Sequence, residues 1–170
     1  MTTTPEGWLT ILGIDPGLSA TGWGVIMVHD RKSLEKFVAS GRITTSANEE
    51  YAVRLQRIFR EMLLVIDRYA PSLVAIEEVF VNRNPTSTLK LCHGRAAAMV
   101  AAAHREIPVK EFHNRTIKNT IVGKGNADKH QMQTMIGYLL PNIDTTNEHE
   151  IDAICAALCA HQHRNFAAMT

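Results

Sequence analysis

The run "LTILGID" at residues 9–15 restricts the fold of this chain more than any other stretch. Leu9, Ile11, Leu12 and Ile14 are β-favouring and apolar on both alternating faces, which predicts a strand buried on both sides and covered above and below. Val25–Val28 resumes the pattern after a glycine-rich bend. A single carboxylate, Asp15, stands at the turning point between the two runs. Asp followed by Pro-Gly is also ordinary turn chemistry, because Pro16 presets φ and Gly17 accepts a positive φ. At this level a hairpin turn and a functional carboxylate explain Asp15 equally well.

Further elements follow in order. "EKFVASGRITT" reads as a third strand, and "NEEYAVRLQRIFREMLLVIDRYA" carries apolar residues at helical spacing (Val53, Leu55, Ile58, Met62, Val65 and Ile66). "SLVAIEEVF" is a short buried strand, "NPTSTLKLCHGRAAAMVAAAHRE" an alanine-rich helix and "PVKEFH" a fifth strand. "NRTIKNTIVG", "ADKHQMQTMIGYLL" and "HEIDAICAALCAHQHR" are helices. Three strands in sequence followed by alternating helices and strands predict an α/β fold. Its five-stranded mixed sheet has an antiparallel three-strand meander at one side, parallel strands at the other, and flanking helices. Residues 1–7 predict a short disordered lead and 165–170 a frayed tail around one domain, which 170 residues fill without a second.

Bulk properties remove whole classes of function. No apolar stretch is long enough to span a bilayer, so a soluble protein with no membrane partner is expected. Three cysteines at irregular spacing, without a secretory leader, predict a reduced, cytoplasmic setting. A net charge of +1 argues against a nucleic-acid binder on average, but the charge is uneven. Residues 82–130 hold nine Lys or Arg (Arg83, Lys90, Arg95, Arg105, Lys110, Arg115, Lys118, Lys124 and Lys129) against Glu106, Glu111 and Asp128. Either a solvated charged face or a surface for a polyanion fits that excess.

A second acid repeats the logic of Asp15. Val74, Ala75 and Ile76 are buried-strand residues and Glu77 ends their run, with Glu78 on the opposite face. If the first and fourth strands are neighbours, Asp15 and Glu77 sit side by side, where they would repel unless a cation lay between them. On the last helix His149 and Asp152 are three apart and share one face of the first turn. A helix dipole accounts for a first-turn Asp, and solvation for a terminal His, equally well. Oxygen ligands converging from two strand ends and a helix are also what Mg²⁺ needs, and two such ions about 3.5–4 Å apart clamp an in-line phosphodiester displacement.

Together "ILGIDPGLSATGWGVI", "IEEVFVNRNPTSTLKL", "IKNTIVGKGNADKHQMQ" and "HEIDAICAAL" resemble the RuvC family of bacterial Holliday-junction resolvases, in the ribonuclease-H-like nuclease superfamily. The resemblance runs from about Leu9 to Arg164, and its most specific piece is Lys118–Gln131. It implies a ribonuclease-H-like nuclease domain over 1–170 that resolves four-way junction DNA in recombination and repair. The implied reaction is symmetric two-metal-ion hydrolysis leaving 5′-phosphate nicks, with two Mg²⁺ per site and Mn²⁺ as a substitute. Asp15, Glu77 and Asp152 carry over as metal-binding carboxylates. Where many relatives have a further Asp this chain has His149, as a fourth ligand or a proton acceptor.

The resemblance gives other residues a role beside a plain one. Phe80 is similar to an aromatic that stacks on an unpaired base at the junction centre, with core packing as the alternative. Lys118 and Lys129 match lysines near the scissile phosphate, and Arg83, Lys90, Arg95 and Lys124 join them as DNA contacts. Gly123 and Gly125 let backbone amides approach phosphate, or make a helix stop and a turn. The small residues of "GRAAAMVAAA" suit a homodimer interface or one buried helix, and a twofold dimer would match the symmetry of a four-way junction. The branch-migration proteins RuvA and RuvB are implied partners.

Two other classes stay open from sequence. "GIDPGLSATGWGV" is similar to the phosphate-binding hairpin of actin-like and sugar-kinase ATPases, and a junction-binding protein without catalysis would use the acids structurally. A zinc site at Cys155, Cys159, His161 and His163 is rejected, because Ile151, Ile154, Cys155, Leu158 and Cys159 form one apolar helical stripe.

Overall fold

The computed structural model describes residues 5–29, 32, 34–79 and 85–167. Phe80 and Arg83 fall outside them. Three strands open the chain, β1 (Trp8–Asp15), β2 (Ala20–His29) and β3 (Glu35–Thr44), followed by α1 (Tyr51–Tyr69) and β4 (Leu73–Glu77). Next come α2 (Pro85–His104), β5 (Val109–Phe112), α3 (Asn114–Val122), α4 (Lys129–Leu139) and α5 (Glu148–Ala167). The strands form one sheet in the order β3-β2-β1-β4-β5, antiparallel between β1, β2 and β3 and parallel from β1 to β4 to β5. The α/β architecture is the expected one, with the doubly buried "LTILGID" strand at its centre.

Alternation along β1 divides the core in two. Ile11 faces α3, α4 and α5 together with Ile26, Val28 and Ala75, whereas Leu12 and Ile14 face α1 and α2 together with Val25, Val74 and Ile76. Ile58, Met62 and Ile66 are the buried stripe of α1. The helical spacing placed Val53 on that stripe, but Val53 is exposed and its neighbour Arg54 is buried. The Arg54 Nε donates to Thr45 Oγ1 at 2.9 Å, so this cation is buried because hydrogen-bond acceptors meet it. Helix α5 is buried nearly all round, with residues 153–160 inaccessible or almost so. It is a core helix rather than one with a single apolar stripe, which further disfavours zinc at Cys155 and Cys159, both buried free thiols. The same helix continues through Ala167, so residues 165–167 of the expected frayed tail are helical.

Glycine placement departs from expectation. Gly22 and Gly24, read as a bend, lie inside β2, and Gly17 is not among the positive-φ glycines of the described residues. A Cβ at Gly17 would stand 2.1 Å from the Ala20 carbonyl oxygen, so glycine is required there by close backbone approach, not by φ. Gly123 has φ +77° and caps α3, which makes it a helix stop.

Gly137 is the opposite case. It lies within α4, and nothing beyond its own stretch of helix stands inside 4 Å of where a Cβ would be. Gly137→Ala is expected to raise unfolding free energy by about 0.5–1 kcal/mol, read from urea denaturation, because alanine loses less backbone entropy on entering a helix.

Candidate active site

Strand register brings the first two acids together. β1 and β4 pair in parallel with Ile14 opposite Ile76, so Asp15 and Glu77 are the next residues at adjacent strand ends. The condition set from sequence, that the first and fourth strands be neighbours, is met. Behind Asp15 the turn is braced by Thr21 Oγ1 donating to the Gly17 carbonyl at 2.6 Å and Thr45 Oγ1 to that of Leu18 at 2.5 Å.

Helix α5 supplies the other two groups, and glycine lets it come close enough. Added Cβ atoms would stand 1.8 Å from the Ala153 carbonyl oxygen at Gly13, 2.1 Å from that of His149 at Gly22, and 2.4 Å from Ile154 Cγ1 at Gly24. The helix backbone therefore rests on the backbones of β1 and β2, where any side chain would hold it off. This contact puts the first turn of α5 over the end of β1, and His149 Nδ1 lies 2.6 Å from Asp15 Oδ2. Glu150, on the other side of the turn, accepts from Ser40 Oγ at 2.6 Å and ties α5 to β3.

The carboxylates feel one another. Burial pushes the Asp15 carboxyl up from 3.8 to about 6 and the Asp152 charge adds to this, while the His149 hydrogen bond and Lys129 oppose it. Glu77 is raised by burial and by Asp15, and Asp152 by burial and by Glu77. Three partly buried acids that raise one another's proton affinity have the donor chemistry of a hard divalent cation site, since such a charge would offset both burial and repulsion. Among the described residues no three His, Cys, Asp or Glu side chains are grouped so that together they could hold a metal ion. Two of the acids are held instead by neutral or basic neighbours, Asp15 by His149 and Glu77 by Asn114. The residue types fit the cation in kind.

The predicted cations divide. Lys118 acts electrostatically on Glu77, and Lys129 on Asp15 and Asp152, so both are beside the acids. Lys129 is also paired with Glu148, an acid the sequence reading passed over. Lys90 and Lys124 are exposed, Lys90 beside Leu18 and Ser19 of the turn after Asp15. Arg95 has partners within the fold: its Nε donates to the Glu77 carbonyl at 3.2 Å and its guanidinium pairs with Glu111. Through these contacts it braces the end of β4.

Asn114 was also missed. Its Nδ2 donates to Glu77 Oε1 at 2.8 Å. The available signal was its place just past the carboxyl end of the strand that follows Glu77 in the sheet, where groups from neighbouring strand ends meet.

Comparison with known proteins agrees with this geometry. The family model described as crossover junction endodeoxyribonuclease RuvC matches residues 11–161. A RuvC of Xanthobacter autotrophicus is 42% identical over 160 residues, 94% of each chain. Thermus thermophilus RuvC in complex with Holliday junction substrate superposes with a TM-score of 0.85 at 29% identity, covering 95% of this chain and 96% of that one. A yeast mitochondrial Holliday junction resolvase shares the fold, with a TM-score of 0.62 at 12% identity over 94% and 85%. The chain belongs to the RuvC family of crossover junction endodeoxyribonucleases.

Proposed function

We propose that this protein resolves Holliday junctions by symmetric, metal-dependent phosphodiester hydrolysis, with Asp15, Glu77, His149 and Asp152 as its catalytic and metal-binding groups. The carrying observation is the meeting of two parallel strand ends and the first turn of α5 in a chain of the RuvC family. Nuclease activity follows from the family, which is of a metal-dependent type. Two Mg²⁺ ions, replaceable by Mn²⁺, would neutralise charge at the scissile phosphate and lower the pKa of the attacking water.

The chain's own residues do the rest. Asp15 sits on rigid strand, where a shared ligand keeps its place better than on a loop. His149 fixes the Asp15 carboxylate through Nδ1, and its second ring nitrogen suits it to take a proton or act as a further ligand. Lys118 and Lys129 hold the phosphate beside the acids, and Glu148 competes with DNA for Lys129. Lys90, Lys124 and Arg83 follow the backbone, and Phe80 stacks on an unpaired base. Arg95 joins them as a DNA contact and also holds the end of β4.

A single nuclease domain spanning the chain works as a homodimer. Exposed Leu89 and Val100 on α2, with His93 and Ala96 between them, support α2 as the face that meets a second copy. Two sites about a twofold axis cut matching strands, leaving ligatable 5′-phosphate nicks, with RuvA and RuvB delivering the junction in the cytoplasm. No helix among the described residues is long and apolar enough to cross a membrane.

The test is cleavage of a mobile four-way junction and of a linear duplex of the same sequence, with and without Mg²⁺. Paired nicks in the junction alone, dependent on the metal, are expected. Tight junction binding with no cut across several metals and sequences would leave a non-catalytic junction binder instead.

A further inference from the structure

We infer that Asn114 is a positioning residue that sets the metal preference of the site by holding Glu77 to one free oxygen. The inference rests on the reading of Glu77 as a metal ligand. The β4–β5 register places Glu77 opposite Phe112, and the Glu78 amide donates to the Phe112 carbonyl at 2.9 Å. Two residues on, Asn114 begins α3, so strand pairing and helix start together fix its amide beside Glu77. The Asn114 Nδ2 occupies Glu77 Oε1 at 2.8 Å, while Arg95 Nε holds the backbone carbonyl of the same residue at 3.2 Å. Glu77 is thereby pinned at both its main chain and its carboxylate.

The hydrogen bond fixes the plane of the carboxylate and takes one lone pair of Oε1, so the other oxygen is the more available ligand atom. Mg²⁺ is small, requires near-octahedral geometry and takes carboxylates one oxygen at a time, whereas Ca²⁺ accepts six to eight oxygens and both oxygens of one carboxylate. The neutral Asn114 donor therefore favours the smaller ion. Free rotation of Glu77 would remove that advantage and supply Ca²⁺ with a chelating pair.

The experiment measures Mg²⁺ and Ca²⁺ affinity by calorimetry on the full chain without DNA, for the parent, Asn114→Ala and Asn114→Leu. Both variants lack the donor, and Leu nearly keeps the shape of Asn. The expected result is that Mg²⁺ binding weakens about tenfold in both, within the range for residues that orient a ligand, while Ca²⁺ changes less than about threefold. A side chain that only packs would leave Asn114→Leu like the parent, and that result overturns the inference. So does equal weakening of both ions, or no change in either variant. If one variant does not fold, the other decides. A parent that binds neither ion overturns the reading of the metal site itself, and this inference with it; a parent that binds both, with unchanged variants, overturns this inference alone.

Discussion

Asp15→Asn is expected to abolish junction cleavage, by roughly 10³-fold or more, leave junction binding intact, and make the metal-free protein more stable at neutral pH. The two effects have one cause. Asp15 is a partly buried carboxyl raised to about 6 by burial and by Asp152, so folding above that pH confines a charge that burial disfavours. The sign follows from linkage: a carboxyl whose folded pKa exceeds its unfolded value of 3.8 penalises the folded state fully above about 6. The penalty fades as pH falls from about 6 toward 3.8 and is absent below. Asparagine removes it, so the variant should gain on the order of 3 kcal/mol at pH 7.5 in chelator, with the gain shrinking toward zero near pH 4. Denaturant titrations at several pH values measure this, and an equal difference between the proteins at every pH would overturn it. Mg²⁺ should stabilise the parent at neutral pH and leave the variant unchanged, because a ligand bound only by the folded state raises its stability.

The second large effect concerns the glycines under α5. Gly13→Ala places a Cβ 1.8 Å from the Ala153 carbonyl oxygen, and the obstacle is helix backbone that no rotamer change can relieve. The expected loss is about 3 kcal/mol or more, near 10 °C in melting temperature for a chain of this size. Gly22→Ala presses instead on the backbone of His149 at the outer end of the same contact. Lifting the first turn of α5 by about 1 Å would carry His149 and Asp152 away from Asp15, a displacement that typically costs 10²-fold in rate. Gly22→Ala should therefore lose more activity than its melting temperature suggests. Comparable activity in Gly22→Ala and Gly137→Ala, after correction for the folded fraction, would show that helix height over the sheet does not set the site.

Much of this protein is legible in one dimension. The apolar runs ending in Asp15 and Glu77 mark strand ends because burial on both faces leaves no place for a charged residue until the strand stops. The spacing of His149 and Asp152 fixes a shared helix face by helical geometry alone. The order of elements and the family resemblance carry the α/β fold and the resolvase reading. Other features depend on who the neighbours are. Gly22 and Gly24 look like a bend because glycine is permissive anywhere, and only the packed backbone of α5 shows that they are contact points. Arg54 is buried where Val53 was expected, a difference of about 100° of helix rotation, because acceptors on Ser19 and Thr45, distant in sequence, meet its guanidinium. Arg95 reads as a surface cation until the end of β4 is seen to need a donor. Asn114 joins Glu77 across 37 positions of sequence, through the register of two parallel strands. Periodicity records which face of an element is buried, since that is a property of the element alone. Partnership between side chains depends on register and helix height, which arise only when the elements pack.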